Sequence, residues 1–504
     1  MPTITLSHLT FGYEGEDDLF VDVSMQLETD WKLGLIGRNG RGKSTLLNIL
    51  LASQEGESPR LEYYGNVHSP IPFEYFPYSI EDKTESTRRI VATIVSGFDD
   101  WQLERELSLL DVNLDVLNRP FETLSGGEQT KVLLAALFLK SESIFLLIDE
   151  PTNHLDTEGR KKIGEYLNRK QGFILVSHDR TLLDHCVDHI LSINRCELEL
   201  LQGHFSAWQQ NQENREKFEA TTNKRLSKSI KQLQKAAKQT SDWSDKIEKR
   251  KYGQGPVDTG FIGAKSARMM QRSQNIADRK QKAADEKAKL FKETEIDDPL
   301  TLHPLTFHSR RLFDVTDLTI QYGDLPLFKP VSFSVNVGDR IALCGQNGSG
   351  KSSLLKLIGG GRQSAVPFTG RCLVPPSLKI SHVPQDASFL SGSLKDFISA
   401  RQLDESLFKA ILFKFGFDKS RFDAELSECS PGQKKKVLLA ASLCENAHLY
   451  LWDEPLNYVD VLSRMQIEKA LQESGATLIF VEHDAAFQDA VATERLILGA
   501  ASQD

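Results

Sequence analysis

The feature that most constrains the fold of this chain is an internal repeat. The sequence GRNGRGKS at residues 37–44 recurs as GQNGSGKS at residues 345–352. Two further pairs follow at nearly the same separation, FLLIDE (145–150) with LYLWDE (449–454) and SHD (177–179) with EHD (482–484). Because the three elements keep their order and almost their spacing, the 504-residue chain is predicted to contain two copies of one domain.

Each copy has the pattern of an α/β fold. Apolar runs at residues 144–148 and 172–176, and again at 448–452 and 477–481, are typical of buried parallel strands. A run with helical periodicity follows each glycine-rich sequence. Strands that alternate with helices indicate layers built on a parallel sheet. We therefore predict a first domain at residues 1–207, a linker at 208–298 and a second domain at 299–504.

The repeated octapeptide, placed between a strand and a helix, has the pattern of a phosphate-binding loop. Its glycines let backbone N–H groups turn toward phosphates, and the lysine and serine would reach the phosphates and Mg²⁺. One match can be a chance glycine-rich turn, but two in the same context favour binding of ATP with Mg²⁺. The residues predicted to bind the nucleotide here are Gly37, Asn39, Gly40, Gly42, Lys43, Ser44 and Thr45 in the first copy and Gly345, Asn347, Gly348, Gly350, Lys351, Ser352 and Ser353 in the second.

An Asp-Glu pair ends one apolar strand in each copy. Asp149 and Asp453 stand where a nucleotide hydrolase with this loop places an aspartate that holds Mg²⁺. Glu150 and Glu454 follow directly and are predicted to orient or deprotonate the attacking water. The alternative is that each glutamate is a solvated loop charge.

A histidine also follows a buried strand in each copy. His178 and His483 are candidate contacts of the γ-phosphate. A lone histidine is more often structural, and here the argument for catalysis is its repetition at a matching offset. The predicted chemistry is hydrolysis of ATP to ADP and phosphate.

Composition excludes several classes of protein. No stretch approaches the roughly 18 consecutive apolar residues of a membrane helix, and the N-terminal sequence lacks the pattern of a signal peptide. The six cysteines have no Cys-x-x-Cys spacing, which argues against structural zinc, an iron–sulfur cluster or a disulfide framework. A cytoplasmic protein is therefore expected. Although the net charge is −9, residues 221–290 hold 18 Lys or Arg against 7 Asp or Glu, so this segment is predicted to meet a polyanion.

The sequence LSGGEQ at residues 124–129 resembles the signature motif of ATP-binding-cassette (ABC) proteins, and CSPGQK at 429–434 resembles a divergent second copy. The resemblance implies that the two domains, hereafter the first and second cassettes, pair head to tail within one monomer. Each ATP would then lie between the phosphate loop of one cassette and the signature of the other. The signature residues implied to contact nucleotide are Ser125, Gly127, Glu128, Ser430, Gly432 and Gln433.

Two tyrosines match the aromatic residue that stacks on adenine in this family. Tyr13 and Tyr322 each precede the loop lysine by about thirty residues. The alternative is an ordinary aromatic side chain on an edge strand.

The linker has the pattern of a basic helical hairpin. Residues 208–252 are polar, basic and free of proline and glycine, with Leu226 and Ile230 at coiled-coil spacing. A glycine-rich break marks a tip at about 252–263, and a second run with an apolar residue at every seventh position follows. This predicts an α-helical coiled-coil hairpin between the cassettes, the alternative being a solvated spacer. The candidate RNA-binding residues are Lys224, Arg225, Lys228, Tyr252, Phe261, Lys265, Arg268 and Arg272.

This layout, with DEPTNHLD at residues 149–156, resembles the F subfamily of ABC proteins. WDEPLNYVD at 452–460, WKLGLIG at 31–37 and DTGFIGAKSAR at 258–268 resemble the Lsa-type antibiotic-resistance proteins within it. The resemblance implies a partner in the bacterial 70S ribosome, with binding in the exit site, at 23S rRNA and P-site tRNA. It implies protection from lincosamides, pleuromutilins and streptogramin A, without membrane or DNA partners. A housekeeping translation factor and a transporter ATPase remain open as alternatives.

The two copies differ at one position expected to bind Mg²⁺. Gln385 in VPQ (383–385) matches the family's glutamine, whereas Tyr78 in FPY (76–78) occupies the corresponding place. The Mg²⁺ residues are thus predicted to be Ser44 and Asp149 in the first site and Ser352, Gln385 and Asp453 in the second. The site built on Lys43 would also face the irregular signature, in which Pro431 and Gln433 replace Gly126 and Glu128. We expect slower hydrolysis at the Lys43 site, unless water fills the place of the missing ligand.

Overall fold

The computed structural model describes residues 2–13, 18–54, 61, 63–95, 97–140, 144–152, 155–194, 197–250, 300–322, 325–346, 348–360, 366–417, 421–422 and 424–499. They form two compact units. One unit contains residues 1–205 and 299–504, and the other contains residues 206–298.

The first cassette alternates strands and helices after an antiparallel beginning. Its strands are β1 (Thr3–Phe11), β2 (Phe20–Glu28), β3 (Lys32–Gly37), β4 (Tyr64–His68), β5 (Phe73–Phe76), β6 (Phe145–Asp149), β7 (Phe173–Val176), β8 (His189–Asn194) and β9 (Glu197–Gln202). Its helices are α1 (Lys43–Ala52), α2 (Thr87–Ile94), α3 (Asp100–Leu109), α4 (Gly126–Leu139), α5 (Thr157–Asn168) and α6 (Arg180–Cys186), with 3-10 turns at Leu114–Asn118 and Phe121–Thr123.

The second cassette repeats this order after helix α7 (Phe205–Arg250). Its strands are β10 (Arg311–Tyr322), β11 (Leu325–Pro326), β12 (Val331–Asn336), β13 (Arg340–Cys344), β14 (Phe368–Cys372), β15 (Ile380–Val383), β16 (Leu449–Asp453), β17 (Leu478–Val481) and β18 (Glu494–Ile497). Its helices are α8 (Lys351–Gly360), α9 (Leu394–Arg401), α10 (Glu405–Lys414), α11 (Pro431–Cys444), α12 (Val461–Ser474) and α13 (Ala485–Val491), with a 3-10 turn at Leu426–Glu428.

Each cassette is built on the same parallel sheet. The strand order is β5-β6-β7-β3-β8-β9 in the first cassette and β15-β16-β17-β13-β18 in the second, and all pairs are parallel except β8 with β9. A smaller antiparallel sheet accompanies each one, in the order β2-β1-β4 or centred on β10. This confirms the predicted α/β fold with two cassettes. Because parallel strands end at the same sheet edge, the loops after β3, β6 and β7 meet there, as do those after β13, β16 and β17.

Helix-capping aspartates fix the loops that follow β6, β7, β16 and β17. The side chain of Asp156 accepts from the N–H of Gly159 at 2.8 Å and so caps α5, and Asp460 caps α12 through Ser463 N at 2.9 Å. Asp179 and Asp484 cap α6 and α13 in the same way. A capping aspartate satisfies otherwise unpaired N–H groups at the helix start. The loops therefore enter each helix in a defined direction.

The second unit contains α7, a helix of 46 residues that would measure about 70 Å at 1.5 Å per residue. Lys224, Arg225 and Lys228 are exposed along it, while Leu226 and Ile230 are partly buried. The predicted first helix of the linker is therefore confirmed over its described part. The predicted tip and second helix, with Tyr252, Phe261, Lys265, Arg268 and Arg272, lie outside the described residues.

Candidate nucleotide sites

The first phosphate loop joins β3 to α1 and curls around the lysine that begins the helix. Gly42 has φ 91°, and a Cβ there would lie 2.9 Å from the ring of Phe20, so this turn requires glycine. The Lys43 ammonium donates to the carbonyl oxygens of Gly37 at 2.8 Å and Arg38 at 3.2 Å. Burial lowers the pKa of Lys43, and nearby carboxylates oppose that shift. A buried cation inside a loop of backbone N–H groups is suited to hold phosphates.

The predicted magnesium residues of the first site are in contact. Ser44 Oγ donates to Asp149 Oδ2 at 2.9 Å. The hydroxyl of Tyr75, on the neighbouring strand β5, donates to the same oxygen at 3.2 Å. Burial raises the pKa of Asp149, while the bonds from Ser44 and Tyr75 oppose the shift. Tyr75 was not singled out from the sequence, because only the pairing of β5 with β6 brings it to Asp149.

Tyr78 occupies the position of the missing glutamine but contacts other residues. The ammonium of Lys140 lies 5.5 Å from the centre of the Tyr78 ring and donates to Glu74 Oε1 at 2.9 Å. Burial raises the pKa of Tyr78 strongly, and the charge of Glu74 adds to the shift. Among the described contacts, the tyrosine hydroxyl that bonds to Asp149 therefore belongs to Tyr75 and not to Tyr78.

The catalytic candidates of the first site face each other. Glu150 has φ 51°, an uncommon conformation for a side chain of this size, and its N–H bonds to Val176 O at 2.9 Å. Its Oε1 lies 3.4 Å from Nε2 of His178. Burial is the largest cause that raises the pKa of Glu150 to about 8, with Asp149 adding to it. Burial also lowers the pKa of His178 well below its usual value, so this imidazole is neutral.

The second site has the same plan with a more complete hydrogen-bond chain. The Lys351 ammonium donates to the carbonyls of Gly345 and Gln346, each at 2.8 Å. Ser352 Oγ donates to Gln385 Oε1 at 3.4 Å, and Gln385 Nε2 donates to Glu454 Oε1 at 3.1 Å. The glutamine thus connects the serine predicted to hold Mg²⁺ with the predicted catalytic carboxylate.

Glu454 differs from Glu150 in its surroundings. It too has a left-handed φ, 49°, and its Oε1 lies 3.5 Å from Nε2 of His483. Asn457 Nδ2 donates to Oε2 at 2.9 Å. Burial favours the neutral acid, but His483 and Asn457 outweigh it and lower the pKa of Glu454. The two sites therefore hold equivalent glutamates in different electrostatic environments.

Lys435 supports the second site from helix α11. Its ammonium donates to Pro384 O at 2.6 Å, Gln385 O at 3.2 Å and Asp453 O at 2.7 Å. Lys435 thus joins the segment after β15, which carries Gln385, to Asp453 at the end of β16. The equivalent position in the first cassette is Thr130, whose hydroxyl donates to Gly126 O on its own helix.

Both sites include residues from the opposite cassette. The N–H of Asn39 donates to Asp460 Oδ2 at 3.2 Å, and its side-chain amide donates to Tyr458 O at 2.8 Å. At the second site, Leu155 and Arg160 of the first cassette line a cavity of ≈ 530 Å³ together with the second phosphate loop. This cavity is also lined by Gly348, Gly350, Lys351, Ser352, Ser353, Gln385, Glu454 and His483.

The signature sequences begin helices α4 and α11 with matching caps. Ser125 N donates to Glu128 Oε2 at 2.8 Å, and Ser430 N donates to Gln433 Oε1 at 2.9 Å. Pro431 stands at the first helical position, where proline fits without loss of a hydrogen bond. The second signature therefore keeps the helix start of the first. Within the described residues, no hydrogen bond joins Ser125 or Ser430 to the opposite phosphate loop.

The signature glycines pack against the loop between β6 and α5 in the first cassette and between β16 and α12 in the second, hereafter the crossing loops. A Cβ at Gly432 would lie 2.9 Å from the Tyr458 ring, and one at Gly127 would lie 3.0 Å from Leu155. Signature and crossing loop are therefore adjacent in each cassette.

The two tyrosines predicted to stack on adenine have different surroundings. Tyr13 is 47% exposed and its hydroxyl lies 3.1 Å from Thr45 Oγ1, beside the first phosphate loop. Tyr322 ends β10, where it pairs with Leu325. Asn347 lies outside the described residues.

The donor set fits a nucleotide with Mg²⁺. Asp453 Oδ1 and Glu150 Oε1 are buried acceptors without a hydrogen-bond partner. Buried acceptors are rarely left unpaired, so these oxygens are suited to a cation or a bound water. Over the described residues, no group of three His, Cys, Asp or Glu side chains could hold a metal ion alone. In nucleotide sites, Mg²⁺ is usually held by one or two carboxylates together with substrate phosphates.

Comparison with known proteins supports this architecture. The family described as ABC transporter matches residues 20–153 and 328–457. The ribosome protection protein VmlR of Bacillus subtilis is 27% identical over 515 residues, covering 98% of this chain and 86% of that protein. The energy-dependent translational throttle protein EttA of Haemophilus influenzae is 27% identical, covering 95% of this chain and 88% of its own length.

Solved structures agree on the fold. The RNase-L inhibitor superposes with a TM-score of 0.60 at 19% identity, covering 97% of this chain and 87% of that chain. The archaeal ribosome recycling factor aABCE1, solved in complex with the ribosomal stalk protein aP1, gives 0.59 at 19% identity, covering 95% and 84%. The two relatives named above support the F-subfamily resemblance seen in the sequence. Because the two family matches together span just over half of the residues, this chain belongs to the ABC transporter family of ATP-binding cassettes.

Proposed function

We propose that this chain is a Mg²⁺-dependent ATPase that binds the bacterial 70S ribosome when ATP closes its cassettes and is released by hydrolysis. We further propose that it protects the peptidyl-transferase centre from lincosamides, pleuromutilins and streptogramin A. The observation that carries the ribosomal part is the exposed basic side of α7, with Lys224, Arg225, Lys228, Lys231 and Lys235. Such a row would neutralise phosphates of an RNA partner.

Two relatives support the same partner. VmlR is named as a ribosome protection protein and EttA as a translational throttle, and each matches nearly the whole chain. The polar, basic helix between the cassettes is an element that binding of ATP alone does not require.

The chain's own residues would divide the chemistry among them. Lys43 and Lys351 would hold the phosphates, and the Ser44–Asp149 pair would hold Mg²⁺ with them. Mg²⁺, when bound, neutralises charge on the phosphate oxygens. Glu150 and Glu454 would accept a proton from the attacking water or orient it, with His178 and His483 beside them.

Closure would follow from the contacts between cassettes. Asn39 already bonds to Tyr458 and Asp460, so the first phosphate loop touches the loop that precedes α12. Nucleotide phosphates between the phosphate loops and the signatures would add attractive contacts, and hydrolysis would remove them.

The experiment is co-sedimentation with 70S ribosomes of the Glu150→Gln, Glu454→Gln double variant, with and without ATP and Mg²⁺. We expect pelleting only with ATP, because the variant binds ATP but hydrolyses it slowly and therefore stays in the closed, ribosome-bound state. The matched control is Lys43→Met, Lys351→Met, which should stay in the supernatant. Absence of pelleting with ATP would contradict the proposal.

A housekeeping translation factor is the second candidate, since EttA is as similar to this chain as VmlR is. Displacement of a radiolabelled lincosamide from ribosomes by the double variant separates the two. The protective function predicts displacement, and the housekeeping function predicts none.

A transporter ATPase is the third candidate, from a different class. Over the described residues, no helix is long and apolar enough to cross a membrane. A transporter subunit should fractionate with membranes through its partner. Recovery of the chain with membranes and not with ribosomes would favour this candidate.

We also propose that the Lys43 site hydrolyses ATP more slowly than the Lys351 site. Gln385 links Ser352 to Glu454, whereas Tyr78 makes no contact with Ser44 or Glu150 among the described contacts. The Glu454→Gln variant should therefore retain less hydrolysis than the Glu150→Gln variant. Indistinguishable residual rates would contradict this.

A further inference from the structure

Arg464 is a buried arginine that touches both histidine loops. It lies on α12 of the second cassette, and its side chain is only 6% exposed. Its Nη1 donates to the backbone oxygen of His178 in the first cassette at 3.1 Å and to Asp484 Oδ2 in its own cassette at 3.1 Å. Asp484 directly follows His483. One guanidinium therefore joins the segments that carry the two candidate catalytic histidines.

The rest of this side chain is fixed by its own loop. Nε donates to Val459 O at 2.9 Å, and Nη2 donates to Leu456 O at 3.0 Å. Both carbonyls belong to the loop between β16 and α12, whose Asp460 and Tyr458 receive the bonds from Asn39. Arginine suits this place because its planar group donates in several fixed directions at once.

The equivalent residue of the first cassette makes a smaller set of contacts. Arg160 Nε donates to Leu155 O at 3.1 Å, and its Nη1 lies 3.5 Å from Asp179 Oδ2. Both partners belong to its own cassette. Among the described residues, no hydrogen bond runs from Arg160 to the segment of His483. Within the described residues, a hydrogen bond across the interface is therefore made by Arg464 and not by Arg160, although the charge of Arg160 acts on Glu482 of the second cassette.

This bond reaches the first site through the backbone of His178, while the charge of Arg464 also acts on Glu150 and partly offsets the rise of its pKa that burial causes. The carbonyl that Arg464 holds belongs to His178, whose ring nitrogen lies 3.4 Å from Glu150 Oε1. Movement of that backbone would move the imidazole relative to the glutamate. Displacement of a catalytic group by about 1 Å can cost up to roughly a hundredfold in rate.

We propose that Arg464 is a positioning residue that acts in trans: it holds the His178 backbone and thereby sets the rate of hydrolysis at the Lys43 site. This inference rests on the ATPase part of the proposed function and is independent of the ribosomal part. It makes the state of the second cassette's crossing loop a determinant of chemistry in the first cassette.

The test is single-turnover ATP hydrolysis in the Glu454→Gln background, where only the Lys43 site keeps its glutamate. Arg464→Met should lower the rate constant about tenfold or more while the ATP concentration for half-maximal rate changes less than about twofold. Arg464→Lys, which keeps the charge but not the planar fork, should give an intermediate rate and guards against a folding defect. Lys469→Met, an exposed position on the same helix, is the matched control.

A double-mutant cycle with His178→Ala identifies the route. If Arg464 acts through His178, Arg464→Met should cost less than about twofold once His178 is gone, since coupled residues are not additive. Equal costs with and without His178, or a change confined to the half-maximal ATP concentration, would overturn the proposal. Absence of ATP hydrolysis in the unmodified chain as well as in the Glu454→Gln parent would instead contradict the ATPase function itself.

Discussion

At the scale of single residues, the two sites share their phosphate-binding lysines and catalytic candidates. They differ in the neighbouring side chains that hold these groups in place. Lys43 and Lys351 have the same bonds to their loops. The differences lie at Tyr75, which bonds to Asp149, and at Lys435, which holds the carbonyl of Gln385. Because such supporting contacts orient ligands and catalytic groups, each difference predicts an effect on one site alone.

Lys435→Met should slow hydrolysis at the Lys351 site. Without the ammonium, three strand-end carbonyls lose their common donor, and Gln385 loses its fixed position between Ser352 and Glu454. We expect a loss of about tenfold in kcat, measured in the Glu150→Gln background. Lys434→Met, which removes the same charge from the preceding position, is the control. Equal kcat values for the two variants would contradict this role.

Tyr75→Phe should weaken the response of the Lys43 site to Mg²⁺. The phenol donates to the carboxylate oxygen that also accepts from Ser44, and partners of a metal-binding carboxylate typically contribute tenfold or more to metal affinity. In the Glu454→Gln background, the half-saturating Mg²⁺ concentration should rise about tenfold. Tyr78→Phe, whose ring lies by Lys140, is the matched comparison. An unchanged Mg²⁺ dependence for Tyr75→Phe would exclude the contact from metal binding.

At the scale of secondary-structure elements, most of the fold could be predicted and part of each site could not. The loops after β3, β6 and β7 are marked in the sequence, because their residue types and order suffice to place Lys43, Glu150 and His178 at one sheet edge. Lys435 and Tyr75 carry no such pattern. Their roles depend on which side chain of a neighbouring helix or strand reaches a loop, and this is decided by packing.

Element packing also predicts an acid-sensitive position on β15. Burial lowers the pKa of His382 to about 4, and the charges of Lys435, Lys356 and Arg401 add to the shift. Between about pH 4 and 6.5, His382 is therefore protonated in the unfolded chain, where its pKa has the ordinary value of about 6.5, but not in the folded chain. Stability is therefore lost as the pH falls from about 6.5 toward 4.

His382→Gln should remove part of this pH dependence. Between pH 7 and pH 5 the unmodified chain should lose roughly 2 kcal/mol more unfolding free energy than the variant, measured by denaturant unfolding at each pH. The exposed His303 provides the control substitution, His303→Gln. Identical pH dependence in the His382→Gln variant and the unmodified chain would show that His382 is not the group responsible.

At the scale of the whole unit, the interface between cassettes is unequal on its two sides. Arg180 of the first cassette forms a bidentate ion pair with Glu468 of the second, including a bond of 3.1 Å from Nη1 to Oε2. Both side chains are about 90% buried. The equivalent positions across the pseudo-twofold relation are Ala485 and Gly164, which cannot form an ion pair. This ion pair therefore joins the two cassettes beside the Lys43 site, where the hydrogen bond from Arg464 to the His178 backbone also spans the interface.

This ion pair predicts a specific pattern of stability. Burial raises the pKa of Glu468 although Arg180 opposes it, so desolvation offsets much of the attraction. Glu468→Ala leaves Arg180 buried without its partner and should cost about 3 kcal/mol, or a fall of roughly 5–10 °C in the midpoint of thermal unfolding. Arg180→Met, Glu468→Met removes both charges and should restore most of that loss, because an apolar pair of similar volume avoids the desolvation.

The exposed pair of Lys162 and Glu165 on α5, 3.9 Å apart, provides the comparison within the same chain. Glu165→Ala should change the melting midpoint by no more than about 1–2 °C, since exposed pairs contribute little. Similar losses for Glu468→Ala and Glu165→Ala would mean that the interface does not depend on the buried pair. A larger loss for Glu468→Ala that the double methionine variant reverses would show that the cassettes are held together at the Lys43 side by a contact the other side cannot make. Separation of the cassettes would then begin at the Lys351 site, where the described interface lacks that contact.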